Sequence, residues 1–262
     1  MPPVVLTIAG SDNSCGAGAQ ADLKTITALG GYAQTAITCV VAEVPGRVSA
    51  IQPVRPRIVA EQMRLSFEAF PVAAIKTGML YSAAIIRAVA AELGKLPALP
   101  PLVVDPVMVA SSGDPLLKKP AISACENLLF PRAALVTPNL DELRILSGMP
   151  CRNVAEMKAA GRLLARKFGV PFLLKGGHLK SRTAVDIIAD EDGFEEFRAG
   201  FIRGADTHGT GCTFSAAIAT GLACGLPLAE AVARAKSYVT AAIASRLRWK
   251  KATALDHCAA AV

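Results

Sequence analysis

Aromatic residues are scarce: Phe, Tyr and Trp make up 5% of 262 residues, and Trp occurs once. Nucleic-acid surfaces combine a basic cluster with aromatics to stack on, whereas the 28 Lys and Arg here are scattered. The densest basic run, Arg246-Leu247-Arg248-Trp249-Lys250-Lys251, reads as a solvated helix end, with a polyanion patch as the alternative. No nucleic-acid partner is expected, and the net charge of +7 suits an anionic small-molecule substrate equally well. Seven cysteines show no CxxC spacing and no Cys/His cluster, which argues against a zinc site. A GxxxxGK[ST] phosphate loop is absent, so the chain is not a P-loop kinase. No leader precedes the first strand pattern, and free thiols in a reducing cytoplasm are the expectation. Residues 212–229 carry no charge and are long enough to suggest a membrane span. Their Ala, Gly, Thr and Ser content, broken by Gly221, Gly225 and Pro227, reads instead as a buried core helix, so no membrane partner is expected.

What is present is apolar and periodic. The 52% hydrophobic content excludes disorder. Short β-branched runs at 4–8, 36–41, 73–76, 102–105, 134–137 and 172–175 lack polar alternation, as parallel strands buried on both faces do. Helical patterns at 20–29, 58–70, 83–93, 140–146 and 154–168 alternate with them, with Ser82 and Asn153 as caps. Residues 184–189 and 195–202 read as a hairpin, and helices over 211–224 and 228–247 close the chain. The expected architecture is α/β: a central, mostly parallel sheet covered by helices on both faces, in one domain spanning 1–262.

Chemistry concentrates at strand ends and in one turn. Asp206-Thr207-His208-Gly209-Thr210-Gly211-Cys212 places glycines just ahead of a helix, where unpaired backbone N–H groups and the helix dipole favour an anion. Cys212 is the first side chain beside that anion, and the helix terminus is expected to make its thiol more acidic. After the first strand, Gly10 to Gly18 form a polar glycine-rich loop. It reads as a small-molecule loop, a plain connector or, least well, a dinucleotide turn. Asp105, Asn139, Glu142 and Lys175 stand at the carboxyl ends of strands, where open α/β sheets bind ligands. Taken singly, each also reads as a cap or a surface charge. Together they supply what phosphoryl transfer needs: a cation on phosphate, carboxylates for a metal, an anion hole and a base.

Seven ordered blocks carry a resemblance: Thr7-Ile8-Ala9-Gly10-Ser11-Asp12, Gln20-Ala21-Asp22-Leu23-Lys24-Thr25, Lys76-Thr77-Gly78-Met79, Asp105-Pro106-Val107-Met108, Thr137-Pro138-Asn139, Leu174-Lys175-Gly176-Gly177-His178, and Thr207 to Cys212. The chain resembles the hydroxymethylpyrimidine/phosphomethylpyrimidine kinases of thiamin biosynthesis, in the ribokinase-like superfamily, where Cys rather than Asp ends the last block. The resemblance implies a ribokinase-like three-layer fold, ATP and Mg²⁺ as cofactors, a pyrimidine substrate and a homodimer. It implies that Cys212 takes the substrate proton, and that the N–H groups of Gly209, Thr210, Gly211 and Cys212 hold the transferred phosphoryl group. Lys175, with Asn139 and Thr210, would contact ATP, and Asp105 and Glu142 would organise Mg²⁺. Gly10, Asp22, Glu43, Met79 and Val107 would line the pyrimidine pocket.

One departure bears on the substrate. Where the family carries Gln, this chain has Glu43, within Thr38-Cys39-Val40-Val41-Ala42-Glu43-Val44-Pro45. A Gln amide both donates and accepts, but an ionised carboxylate only accepts. A protonated ring, a protonated Glu43 or a different heterocycle, such as a pyridoxal-type ring alcohol, would each restore the pairing. Alternatively, Glu43 faces solvent or caps a helix. Asn13 and Cys15 also replace a usual Pro and Gly. A binding module without catalysis is the reading from a different class.

Overall fold

The computed structural model describes residues 1–44, 46–109, 116–177, 179, 183–202, 204 and 208–258. Five parallel pairings run through β1 (Val4–Asp12), β2 (Tyr32–Val44), β4 (Val72–Thr77), β5 (Leu102–Val104), β6 (Leu135–Val136) and β7 (Phe172–Lys175). Antiparallel strands extend the sheet at both ends: β3 (Arg47–Pro53) beside β2, then β8 (Thr183–Ala189) and β9 (Phe194–Gly200) beyond β7. The order is β3-β2-β1-β4-β5-β6-β7-β8-β9. The chain leaves β1 toward β2 and returns to β4 on the other side of β1, which opens a crevice at the strand carboxyl ends.

Consecutive strand residues feed opposite cores, which is why these runs are apolar without alternation. Leu6, Ile8, Val104, Val136 and Leu174 pack against α2 (Pro56–Ala69), α3 (Ala83–Leu93), α4 (Lys119–Leu128), α5 (Leu140–Ser147) and α6 (Val154–Phe168). Val5, Val103, Leu135 and Leu173 face α1 (Gly18–Ala28), α7 (Thr210–Ala223) and α8 (Leu228–Ala244). The expected layering of helix, sheet and helix is therefore present. Ser82 caps α3 by accepting from Ile85 N, and Asn153 caps α6 by accepting from Glu156 N. The charge-free segment after Cys212 is α7, whose inner residues are buried. Among the described residues no helix is long and apolar enough to cross a membrane.

One reading changes, and two elements add to those expected. The basic run at 246–251 is not a helix end: α8 stops at Ala244, and Leu247–Trp249 (β10) pairs with Ala252–Ala254 (β11) in a hairpin with Trp249 exposed. β3 has no sequence signature because it is an edge strand with mostly exposed residues. The ten residues of α4 contain a proline in the first turn, which is compatible with a helix start but hides its period.

Candidate active site

A cavity of about 540 Å³ opens above the strand carboxyl ends. One end is built on three strand termini and the starts of α5 and α7. Lys175, the last residue of β7, reaches Asp105 just past β5, with Nζ 3.0 Å from Oδ1. Desolvation opposes the ammonium charge, but Asp105 and Glu142 outweigh it and raise the Lys175 pKa. Ser215, one turn into α7, donates to Asp105 Oδ2 at 3.2 Å. Asp105 is thus held from two sides.

Asn139 begins α5 with a capping box: its Oδ1 accepts from Asp141 N and Glu142 N, both at 2.9 Å. Glu142 Oε2 accepts from Asn139 N, and Oε1 from Met108 N, each at 2.9 Å. Burial pushes the Glu142 carboxyl up to about 7, with Lys175 pulling it down and Asp105 pushing it up. A carboxylate has about four lone-pair positions, so the two backbone contacts leave two for water or a cation. Among the described residues no group of three or more His, Cys, Asp or Glu is arranged to hold a metal.

Facing Lys175 is the turn into α7. Gly209 has φ 81°, and a Cβ there would collide with the Gly16 carbonyl oxygen, so only glycine fits. A Cβ on Gly211 would lie 3.3 Å from Lys175 Nζ and 3.7 Å from Asp105 Oδ2. The two glycines therefore let backbone N–H groups approach whatever Lys175 binds. Thr210 and Cys212 line the cavity between them. The expectation of an acidified Cys212 is overturned: burial pushes its thiol up to about 11, although Lys76 and the Gly18 N–H pull it down. Loss of solvation costs a thiolate more here than the helix terminus returns.

The other end of the cavity is lined by Gly10, Met79, Val107 and Glu43. Val107 has φ 45°, a strained conformation for a β-branched residue, fixed between Pro106 and Met108, whose N–H is bound by Glu142. Glu43 is half-buried at the end of β2, and its N–H donates to Asn13 Oδ1 at 2.7 Å. Burial raises the Glu43 carboxyl, and Asp12 raises it further while His208 opposes. Glu43 faces the cavity rather than capping a helix. Asp22 is the expected pocket residue that the structure places elsewhere: it is fully buried behind the wall, paired with Lys76, because two donors hold its carboxylate away from the cavity.

Other cavity residues carried no clear sequence signal. Asp12 Oδ2 accepts from Gly16 N, Ala17 N and Ser14 Oγ, and lies 3.4 Å from His208 Nε2. Burial alone would raise Asp12, but these partners hold it down at about 2. An Asp followed by Ser and Gly is the signature of such a loop, legible once the turn is suspected. Beyond Lys175 the cavity continues between β9 and α8, lined by Ile202, Val239, Thr240 and Ile243. Lys236 and Asp186 pair there at 2.6 Å. His178, Asp206 and Thr207 lie outside the described residues.

Known proteins resemble this chain along nearly its whole length. A sequence profile described as phosphomethylpyrimidine kinase matches residues 12–255. A thiamine biosynthesis bifunctional protein of Geobacter sulfurreducens is 48% identical over 91% of the chain, which spans 49% of that protein. A hydroxymethylpyrimidine/phosphomethylpyrimidine kinase of Rhizobium meliloti is 44% identical, covering 94% of this chain and 92% of its own. Among solved structures, the pyridoxal kinase of Staphylococcus aureus in complex with ADP overlays with a TM-score of 0.90 at 35% identity, over 99% of this chain and 94% of that one.

Proposed function

The chain belongs to the phosphomethylpyrimidine kinase family, and from that premise we propose that it transfers the γ-phosphoryl group of ATP to 4-amino-5-hydroxymethyl-2-methylpyrimidine, and to its monophosphate, for thiamin synthesis. The observation that carries this reading is the approach of Lys175 and Asp105 to the position of Gly211, in a cavity that Cys212 also lines. All 262 residues act as one kinase domain, in the cytoplasm, where its seven free cysteines stay reduced. Tyr32, Val40, Val44 and Leu65 are exposed apolar side chains on β2 and α2 that a homodimer would have reason to cover.

The pyrimidine ring rests against Gly10, Met79 and Val107, with its polar edge on Glu43 and its hydroxymethyl group toward Cys212. The adenine of ATP lies between β9 and α8, where Val239 and Ile243 provide an apolar slot. Lys175 and the Nδ2 of Asn139 hold the phosphates. Thr210 joins the backbone N–H groups of 209–212 around the group in transfer. Asp105 and Glu142 fit Mg²⁺, which takes one or two carboxylates alongside water and phosphate. Bound there, the cation would neutralise charge on the β- and γ-phosphates. Cys212 accepts the proton of the attacking hydroxyl, which it can do only as a thiolate, so kcat should rise with pH. Each unit below about 11 adds roughly tenfold to the thiolate fraction.

The test is to incubate hydroxymethylpyrimidine with ATP and Mg²⁺ and resolve mono- and diphosphate products. Cys212→Ala should lower kcat by about 10²–10⁴. Absence of any phosphorylated pyrimidine from the wild-type chain, or full turnover by Cys212→Ala, would overturn the reading. A second substrate, a pyridoxal-type ring alcohol, is favoured by the overlay of a pyridoxal kinase on 99% of this chain. Comparing kcat/KM for the two alcohols at fixed ATP decides between them.

A further inference from the structure

Beyond Lys175 lies a charge pair to which the proposed reaction gives no part. Asp186, in β8, and Lys236, in α8, have side chains 6% and 12% exposed. Lys236 Nζ lies 2.6 Å from Asp186 Oδ2. Taking both charges out of water is costly, and an apolar pair of similar volume would hold α8 to the sheet at least as well. Packing alone therefore does not account for the choice of residues.

The other oxygen of the carboxylate shows what the pair holds. Asp186 stands opposite Lys175 where β7 pairs antiparallel with β8, and the ladder ends at these two residues. The next main-chain donor, Gly176 N, gives its hydrogen bond to Asp186 Oδ1 at 3.0 Å. Gly176 is buried, and a Cβ there would collide with the Val185 carbonyl oxygen, so no side chain fits. Without Asp186 the Gly176 N–H would be a buried donor past the end of its ladder. On the preceding side, Lys175 N donates to the Pro138 carbonyl at 3.0 Å. The main chain is therefore held immediately before and immediately after the Lys175 side chain. That side chain ends 3.0 Å from Asp105 Oδ1. An unbroken series of contacts runs from Lys236 through Asp186 and Gly176 to Lys175 and Asp105.

We propose that Asp186 is a positioning residue for phosphoryl transfer: oriented by Lys236, it holds the Gly176 N–H and so aims the Lys175 ammonium at the phosphates. This deepens the reading of Lys175 as a phosphate ligand and rests on it. A long side chain such as lysine loses much rotamer freedom when it is ordered, and a fixed main chain at its base limits the directions it can take. Asp186 touches none of the reacting atoms and acts only through the chain at Lys175. Lys236 acts one step further back, by keeping the carboxylate turned toward Gly176.

The experiment is calorimetric binding of ATP and of adenosine to the full chain. Two double variants lose the same charges and differ only in what faces Gly176. Asp186→Asn/Lys236→Met keeps an acceptor there, and Asp186→Leu/Lys236→Met removes it. The leucine variant should bind ATP about tenfold more weakly than the asparagine variant, a coupling of the size seen within one hydrogen-bond network. The two should bind adenosine alike, because adenosine offers Lys175 no phosphate. Adding Lys175→Met should weaken ATP binding in the asparagine background and change it little in the leucine background. Equal ATP affinity in the two double variants overturns the proposal. So do parallel losses for ATP and adenosine, or losses that simply add to that of Lys175→Met. Should the leucine variant not fold, hydrogen exchange on the wild-type chain decides. A Gly176 amide protected before ATP is added upholds the proposal, and one that exchanges like an unstructured amide overturns it. Binding of ATP requires neither acceptor nor turnover, so failure here is separable from failure of the kinase reading, in which the wild-type chain yields no phosphorylated pyrimidine.

Discussion

Lys175, Asp105 and Glu142 stand at the ends of strands and helices packed on both sides, whereas Glu43 stands near the tip of β2, beside the edge strand β3. Each polar atom at the first end is fixed by a neighbour that is itself fixed: Ser215 on Asp105, Asp105 on Lys175, Met108 and Asn139 on Glu142. At the second end Glu43 stands opposite Val48 of the edge strand, and its N–H donates to Asn13 Oδ1 in the first loop. The proposed chemistry sits where positions are over-determined, and of the residues at the ring end only Glu43 stands beside the sheet edge. A sheet edge can change its side chains without disturbing the anion hole. Residue 43 can therefore vary while Lys175, Asp105 and Glu142 keep their contacts.

The separation between the ends can be broken by substitution. The largest effect is expected from Gly209→Ala, which combines a collision with the Gly16 carbonyl and a φ of 81°. Losing an anion-hole donor should lower kcat by about 10²–10³, while the dissociation constant of the pyrimidine, measured without ATP, stays within about threefold. Equal losses in both would mean that the ends are not independent.

Next in size is Glu43→Gln. Burial and Asp12 raise the Glu43 carboxyl, which favours a pairing in which Glu43 and the ring would share one proton. Binding to the wild-type chain should weaken as pH rises through the point where that proton is lost, about tenfold per unit. The amide carries no proton to lose, so its binding should be flat with pH. Parallel pH profiles for the two proteins would assign Glu43 no contact with the ring.

The smallest effect belongs to Asn13→Ala. It frees the Glu43 N–H at an exposed site, worth about 0.5–1.5 kcal/mol. KM for the pyrimidine should rise by about two- to tenfold with kcat unchanged, as steady-state kinetics would record. A fall in kcat instead would place the first loop in the chemistry.

The fold was legible where burial imposes a pattern. β1, β4 and β7 are apolar runs because both their faces are covered, and α3 and α6 begin at Ser82 and Asn153 because those side chains cap them. β3 was not legible, since an edge strand has little burial to write into its residues. The basic hairpin after α8 escaped for the same reason: its residues are largely exposed, and charge says nothing about period. In the site, glycine turns and strand-end charges were readable from spacing. Asp22 was not, because a carboxylate facing a pocket and one facing a buried lysine 54 residues away look alike in one dimension. The acidity of Cys212 was misread because a helix start is visible in the sequence and the depth of its burial is not.

The contact of Gly16 with Gly209, beside that of Asp12 with His208, has a consequence for the synthesis of the protein. The two halves of the clasp are 196 residues apart, so neither end of the chain holds an anion site by itself. A growing polypeptide can complete β1, α1 and most of the parallel sheet before this clasp can form. The clasp closes only when the residues at the start of α7 meet the loop after β1, a contact between distant parts of the chain. A chain that stops before α7 therefore lacks this clasp.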